Sequence, residues 1–338
     1  MRDRLFSAVG LAGFCSLAVS MSACNFAGSK GDPDAGARGG AGGGSGGSGG
    51  VISGSGGAVG SGGVVGNGGS GGISTADFIP ADIGKYKLGA PVTDGMANPG
   101  GSSGPQGCNT IVGVVRDMKG APEPGGHKDF EAAWAASTPT LGIVGNALGA
   151  DSKPVYTSAC EVGMPANTAA CPWGPMTNGK ALFDQWYRSV DGVNKAFLIY
   201  FLFVPQAGGV LTFDSRSFFP LDNAGWGNSG QDTMNMTRNF GFTTELHTKF
   251  KYSGGETFTF VGDDDLWVFV NGKLAMDLGG LHPTATGTIN LDQMAGALGI
   301  TTGNTYPLEL FHAERHTAAS NFRVDTNFVF VDCGTVVP

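Results

Sequence analysis

Three consecutive carboxylates, Asp263, Asp264 and Asp265, are the residues whose type and spacing suggest chemistry most directly. Adjacent carboxylates at the end of a strand repel one another unless solvent, a cation or hydrogen-bond donors neutralise them. Calcium is a hard cation that takes about six to eight oxygen ligands in proteins. The run therefore predicts a calcium site, and the alternative interpretation is a solvated acidic turn.

Two predicted strands flank the acidic run and would hold it at the edge of a sheet. Residues 257–260 alternate threonine and phenylalanine, the period of a half-buried strand, before Gly262 interrupts the pattern. After the carboxylates, residues 266–270 form a second extended run that reaches Asn271-Gly272. This dipeptide favours a two-residue hairpin turn, so residues 273–277 are expected to return as the partner strand.

A second group of polar side chains lies in the segment FHAERHTAASN at residues 311–321. If residues 308–316 form a strand, His312, Glu314 and His316 fall on one face. Imidazole and carboxylate ligands suit zinc or iron, so this face is a candidate transition-metal site. The alternative is a polar network in which Glu314 or Arg315 pairs across the sheet.

Sequence motifs of the common enzyme classes do not occur. No nucleophile elbow, phosphate-binding loop or dinucleotide fingerprint occurs between a predicted strand and a predicted helix, the setting that these motifs require. The acidic run is not an EF-hand loop, because Val268 occupies the position of the required glycine. Two carboxylates across a cleft could hydrolyse a glycoside, but the sequence does not single out such a pair. We therefore expect a protein that is not an enzyme, and keep a hydrolase or metalloenzyme as an alternative.

Composition divides the chain into a glycine-rich arm and a globular part. Of the 60 glycines, 20 lie in residues 39–72, which carry no charge. Such a segment cannot bury enough apolar surface to offset its chain entropy. The globular part, about residues 73–338, is acidic, since the whole chain has a formal net charge of −8. This charge argues against nucleic acid or an anionic membrane surface as a partner.

The N-terminus has the pattern of an export signal. Basic residues precede an apolar run in residues 1–23, and the sequence Met-Ser-Ala-Cys that ends at Cys24 resembles a bacterial lipobox. We expect Cys24 to be lipidated, residues 24–72 to be a disordered tether, and the protein to be anchored by lipid to the bacterial cell envelope, at the cell surface. The alternative is ordinary cleavage near Ala23.

Four further cysteines, Cys108, Cys160, Cys171 and Cys333, are expected to form two disulfides in an exported domain. Three connectivities are possible for four cysteines. We favour Cys160–Cys171, which closes a short local loop, and Cys108–Cys333, which joins the two ends of the domain. No CxxC spacing indicates a zinc site.

Apolar periodicity predicts many strands and few helices. Short helices are expected at residues 127–136 and 182–187, and the aromatic run at residues 195–204 predicts a core strand that is too short to span a membrane. In residues 321–331, Phe322, Val324, Phe328 and Phe330 are expected to share one face of a strand. The predicted fold is all-β with minor helices, a two-sheet antiparallel sandwich.

Several segments together resemble the fibro-slime domain family. The resemblance covers about residues 109–332 and is carried by IVGVVRD (111–117), FDQWYRSV (183–190), FFPLDNAGWGN (218–228), NFGFTTEL (239–246), GDDDLWVFVNGKLAMDLGGLH (262–282) and TYPLELFHAERHTAASNFRVDT (305–326). This family is related to the protective-antigen-type β-sandwich, which also occurs in the flocculin adhesins. The resemblance therefore implies a protective-antigen-like sandwich, a fold that often binds carbohydrate.

The resemblance also implies a site. In the adhesin relatives, two consecutive aspartates joined by a cis peptide bind calcium together with an asparagine from a second loop, and the ion holds sugar hydroxyls. The matching residues here are Asp263 and Asp264, with Asn321 as the candidate from the second loop. Asp265 leaves open which two of the three aspartates bind.

The expected function is calcium-dependent binding of a glycan or a matrix polysaccharide by an adhesin-like module. Trp267 or Trp226 is the candidate to stack on a sugar ring, although a tryptophan within a strand is more often part of the core. The main alternative is a structural matrix protein in which calcium only rigidifies loops.

Overall fold

The structure is a computed structural model that describes residues 78–100 and 107–337. The predicted leader, the lipidation site at Cys24 and the tether at residues 24–72 lie outside the described residues. In the part of the chain that is described, no helix is long and apolar enough to cross a membrane.

The described residues form strands, connected by turns and by two helices. In chain order the strands are β1 (Ile79–Pro80), β2 (Lys85–Pro91), β3 (Thr110–Met118), β4 (Val144–Leu148), β5 (Pro154–Tyr156), β6 (Asn194–Leu202), β7 (Val204–Pro205), β8 (Leu211–Ser215), β9 (Gly230–Gln231), β10 (Thr237–Arg238), β11 (Phe242–Lys251), β12 (Thr257–Gly262), β13 (Asp265–Val270), β14 (Lys273–Leu278), β15 (Ala285–Asn290), β16 (Thr305–Glu314), β17 (Phe322–Thr326) and β18 (Val329–Asp332). The helices are α1 (Lys180–Phe183) and α2 (Leu291–Leu298), and a 3₁₀ turn spans Ala207–Gly209.

Two antiparallel sheets face each other, as the predicted sandwich requires. The larger sheet has the order β1-β2-β6-β3-β11-β16-β13-β14-β4-β5, with β18 paired to β11. The smaller sheet has the order β15-β12-β17-β8-β7, and β9 and β10 form a separate hairpin. The all-β sandwich predicted from the sequence is confirmed.

The main core fills the space between the two sheets. Val268 of the larger sheet and Phe260 and Phe322 of the smaller one are buried in the same apolar cluster. The alternation of residues 257–260 arises because Phe258 and Phe260 face this core, while Thr257 and Thr259 are more exposed. One prediction was wrong: residues 321–331 are not one strand, because β17 lies in the smaller sheet and β18 pairs in the larger one.

A third layer, drawn from the segments before β4 and after β5 in residues 119–187, covers the outer face of the larger sheet. Trp267 and Phe311 of that sheet are buried against Trp186 and Phe130 of the layer. Both faces of β13 are therefore covered, and every residue of this strand is buried. An outer layer of this kind was not predicted from the sequence.

The predicted helix at residues 127–136 is wrong. Glu131 has a positive φ of 53°, which breaks the helical pattern, and His127 forms an isolated β-bridge with Gly120. The second predicted helix, at residues 182–187, is replaced by the single turn α1, which ends at Phe183.

Two local predictions are confirmed. Asn271 and Gly272 both have positive φ, 53° and 69°, as a type I′ hairpin between β13 and β14 requires. The disulfides are Cys108–Cys333 and Cys160–Cys171, the connectivity that the sequence analysis favoured.

Candidate functional site

Three loops that connect the two sheets converge at one end of the sandwich. Asp263 and Asp264 carry the chain from β12 in the smaller sheet to β13 in the larger one. Residues 279–284 connect β14 to β15, and residues 315–321 connect β16 to β17. Both of these loops donate hydrogen bonds to the acidic run. The Asp263–Asp264 peptide bond is cis, as the family resemblance implied.

The carboxylate of Asp263 joins the two other loops. One oxygen accepts from the backbone N–H of Asn321 at 2.6 Å, and the other accepts from the Asn321 amide and from the Thr284 hydroxyl, both at 2.8 Å. Asn321 is therefore in contact with the acidic run, as expected. Thr284 was missed by the sequence analysis, because no motif distinguishes it from the other threonines nearby.

Asp264 is a buried carboxyl next to two others. One of its oxygens accepts from the backbone N–H of Arg315 at 3.0 Å. Burial raises the pKa of Asp264 well above its usual value, and the charges of Asp265 and Asp263 raise it further, while Arg315 opposes them. A cation beside Asp264 would favour its ionised form.

Asp265 is held differently from its two neighbours. One of its oxygens accepts from the N–H of Gly280 at 2.5 Å, and the other from Nε of Arg315 at 2.6 Å. Asp265 has no exposed surface, whereas Asp263 and Asp264 remain 6% and 7% exposed. This carboxylate therefore neutralises Arg315, and the two preceding ones remain as the candidates for a ligand.

The three residues of the predicted transition-metal face do not share a face. Strand β16 ends at Glu314, so His316 lies in the following loop, where Nδ1 contacts the carbonyl oxygen of Thr317 at 2.5 Å. Burial lowers the pKa of His312 to about 4, and Nε2 of this neutral imidazole donates to the carbonyl oxygen of Asp263 at 2.9 Å. The prediction of a zinc or iron face is wrong.

Within residues 78–100 and 107–337, no three His, Cys, Asp or Glu side chains form a group that could hold a metal ion. A calcium site with only two acidic ligands does not need such a group, since calcium also accepts amide, carbonyl and water oxygens. The side chains of Asp263, Asp264 and Asn321 offer hard oxygen atoms of this kind. They fit calcium better than a transition metal.

A cavity of about 260 Å³ opens beside Asp263 and Asp264. Its walls come from residues 134–136, 281–283 and 316–319. The 134–136 wall belongs to the layer that covers the larger sheet, and it brings Trp134 to the cavity. Trp134 was not predicted as a site residue, because a helix was expected at residues 127–136.

Neither tryptophan proposed to stack on a sugar lines this cavity. Trp267 is completely buried, and its Nε1 donates to Asp277 at 2.9 Å, so no ligand can reach its ring. The ring of Trp226 lies under the ammonium groups of Lys195 and Lys119, which are 3.8 Å and 4.5 Å from its centroid. The prediction is therefore wrong for Trp267, and Trp226 is a cation–π partner that does not line the cavity.

Three of the four stretches that form this site lie in a segment that matches a known family. Residues 216–333 match the family model described as the PA14 domain, and they include the acidic run and both of the loops that contact it. This segment is therefore similar to the PA14 domain family. The cavity wall at residues 134–136 lies outside the match.

Curated relatives occur in Dictyostelium discoideum. Protein psiD is 38% identical over 213 residues, which are 60% of this chain and 39% of psiD. Protein psiC is 34% identical over 215 residues, which are 60% of this chain and 39% of psiC. These proteins are homologues, and the chain spans about two fifths of their length.

Two solved structures are also similar. The PA14 sugar-binding domain from an RTX adhesin has 11% identity and a TM-score of 0.23, and the match covers 38% of this chain and 78% of that one. The PA14 domain of the antifreeze protein MpAFP has 9% identity and a TM-score of 0.22, and the match covers 31% of this chain and 58% of that one.

Proposed function

We propose that this protein is an adhesin-like binding module that holds calcium at Asp263 and Asp264 and binds a glycan, or a matrix polysaccharide, through the ion. The match of residues 216–333 to the PA14 domain family supports a binding module rather than an enzyme. In this proposal the ligand's hydroxyl groups complete the coordination of the calcium ion.

One observation carries the calcium proposal. Asp264 is buried beside Asp263 and Asp265, an arrangement that raises its pKa well above the usual value. A divalent cation would replace the lost solvation and offset the repulsion between the carboxylates. The adjacent cavity leaves room for a ligand on the side of Asp263 and Asp264.

The proposed ligand set is smaller than the sequence suggested. Asp265 has no exposed surface and its charge is paired with that of Arg315, so we remove Asp265 from the set. Asn321 stays in it because its amide contacts Asp263. Calcium would then bind Asp263, Asp264 and Asn321, with water or ligand oxygens at the remaining positions.

The substitution Asp264→Ala tests the site. Calcium that binds only the folded state raises stability by RT ln(1 + [Ca²⁺]/Kd), about 2.7 kcal/mol at a hundred times Kd. We expect calcium to raise the Tm of the wild type and of an Asp191→Asn control, and to leave Tm of Asp264→Ala unchanged. An equal shift in all three proteins would show that Asp264 is not a ligand.

A glycan array with and without chelator tests the ligand. Binding that disappears with chelator supports calcium-dependent recognition of a sugar. Binding that is equal with and without chelator would contradict the role of calcium. If the array shows no binding at all while calcium still raises Tm, the glycan part of the proposal fails and the calcium part stands.

A structural matrix protein is the second candidate. The carboxylate of Asp263 already joins the loops of Asn321 and Thr284, so an ion at this position would stiffen the end of the sandwich. Such a scaffold would form multimers without binding sugar. Light scattering with and without calcium, beside the glycan array, distinguishes the two candidates.

We also propose a location. The two disulfides and the PA14 match are consistent with an extracellular or surface protein. On the sequence pattern alone, we propose that Cys24 carries a lipid and that the chain is a fibro-slime lipoprotein of a bacterial envelope. Cys24→Ser should release the protein from membrane fractions, and continued partitioning into membranes would refute acylation at Cys24.

A further inference from the structure

The cavity beside the acidic pair has two kinds of lining. Asp263 and Asp264 contribute carboxylates, and Trp134, Leu281 and Pro283 contribute apolar surface. Small-molecule sites in proteins commonly combine an apolar lining with a few polar groups that set orientation. A volume of about 260 Å³ suits a small ligand rather than a long segment of polymer.

The segment that carries Trp134 is fixed to the other walls by its own backbone. The N–H of Glu131 donates to the carbonyl oxygen of Arg315 at 2.6 Å, and the N–H of Ala136 donates to that of Leu281 at 2.9 Å. The side chain of Glu131 accepts from the N–H of Thr317 at 2.9 Å. The segment is therefore attached on both sides of Trp134 to the two loops that contact the acidic run.

One of these attachments leads directly to the acidic pair. Arg315, whose carbonyl oxygen accepts from Glu131, donates its own backbone N–H to Asp264 at 3.0 Å. Arg315 therefore links the segment that carries Trp134 to the carboxylate of Asp264. The ring is only partly buried, although it packs against the apolar cluster of the outer layer.

We propose that Trp134 is a specificity-determining residue that stacks on the apolar face of a pyranose ring while the hydroxyl groups of the same ring face Asp263 and Asp264. A pyranose has C–H groups on its ring faces and hydroxyls at its edge, which matches the two kinds of lining of this cavity. An aromatic ring offers a large rigid surface at little cost in conformational entropy. This inference rests on the proposed binding of a glycan.

Trp134 lies outside the PA14 match at residues 216–333. The acidic pair and its loops therefore belong to the PA14 segment, while the stacking surface is contributed by the layer that precedes it. Substitutions in residues 131–136 should change which sugar is bound without removing the calcium site.

The test uses Trp134→Ala, Trp134→Phe and a matched control, Trp173→Ala. Trp173 is 45% exposed and does not line the cavity. Binding of five free pyranoses (glucose, galactose, mannose, fucose and N-acetylglucosamine) and of the open-chain polyol sorbitol is measured by calorimetry with calcium present. The calcium-induced shift in Tm is measured on the same proteins.

We expect Trp134→Ala to bind the preferred pyranose at least tenfold more weakly and to lose most of its preference over sorbitol. Trp134→Phe should retain part of the binding, and Trp173→Ala should match the wild type. The shift in Tm with calcium should remain in all of the variants.

Two results would overturn the stacking role alone. In the first, Trp134→Ala binds the pyranose as the wild type does. In the second, Trp134→Ala loses the calcium shift together with the sugar, so that the residue supports the metal site instead. If the wild type binds none of the sugars, the proposed glycan function fails, and the stacking role fails with it.

Discussion

Arg315 and Asp265 form an ion pair that has no exposed surface, with Nε of Arg315 2.6 Å from a carboxylate oxygen of Asp265. The guanidinium also donates from Nη1 to the carbonyl oxygens of Asp129 and Met176, each at 3.0 Å. The pair therefore connects the larger sheet to the layer that covers it. It also separates the acidic run into one structural aspartate and two that remain for a ligand.

Asp265→Ala should destabilise the fold whether or not calcium is present. Removing one partner leaves the buried charge of Arg315 without compensation, which costs about 3–5 kcal/mol. Urea unfolding in chelator measures this loss, and Asp191→Asn is the control, since Asp191 is exposed. Asp265 would instead be a metal ligand if two results were found together. In chelator, Asp265→Ala would be as stable as the wild type, and without chelator, calcium would no longer raise its Tm.

Local sequence patterns predicted the strands and the hairpin because the information lies within a few residues. The alternation at residues 257–260 and the Asn271-Gly272 turn each depend on short-range geometry. The disulfides were predictable because the Cys160–Cys171 loop is short and Cys108 and Cys333 lie at the two ends of the domain.

The roles of individual site residues were not predictable in this way. Asp265 looks like its two neighbours in the sequence, and its pairing with Arg315 depends on the register of β13 against β16. Trp267 was a candidate for stacking because no sequence pattern indicated that the outer layer covers its side of the sheet. Trp134 reaches the cavity because the backbone turns at Glu131, where a helix was expected.

Asn321→Ala should reduce the calcium-induced shift in Tm by a smaller amount than Asp264→Ala does. The change removes one neutral oxygen from the proposed ligand set and one hydrogen bond to Asp263. Thr284→Ala is the matched control, because it also removes a hydrogen bond to Asp263 but no proposed ligand. Equal calcium responses of the two variants, measured by thermal unfolding, would exclude Asn321 as a ligand.

Glu309→Gln should stabilise the protein at pH 8. Burial raises the pKa of Glu309 from 4.5 to about 7. Between pH 4.5 and pH 7 the folded state therefore keeps a proton on Glu309 that the unfolded state has lost. The stability of the wild type therefore loses a component as pH rises from about 4.5 to 7, and glutamine removes that loss.

The expected gain for Glu309→Gln is about 3 kcal/mol at pH 8 and close to zero at pH 4. Urea unfolding at the two pH values measures it, with the exposed carboxylate variant Asp191→Asn as control. A gain that is the same at pH 4 and pH 8 would show that ionisation of Glu309 is not its cause.

Removing the Cys108–Cys333 disulfide should cost more stability than removing Cys160–Cys171. The two bridges close loops with sequence separations of 225 and 11 residues. In the chain-entropy model these loops correspond to about 5 and about 3 kcal/mol, because the longer bridge restricts the unfolded chain more. Cys-to-Ala substitution of both members of each pair, followed by urea unfolding in chelator, measures the difference.

The short bridge provides a second readout. Cys160 and Cys171 are buried in the same apolar cluster as Trp186 and Phe130 of the outer layer, against which Trp134 packs. Loss of Cys160–Cys171 should therefore loosen this layer, measured as faster amide exchange around Trp134, while exchange in β12 and β17 stays slow. Faster exchange spread evenly over both sheets would show that the short bridge stabilises the whole sandwich and not the layer that carries Trp134.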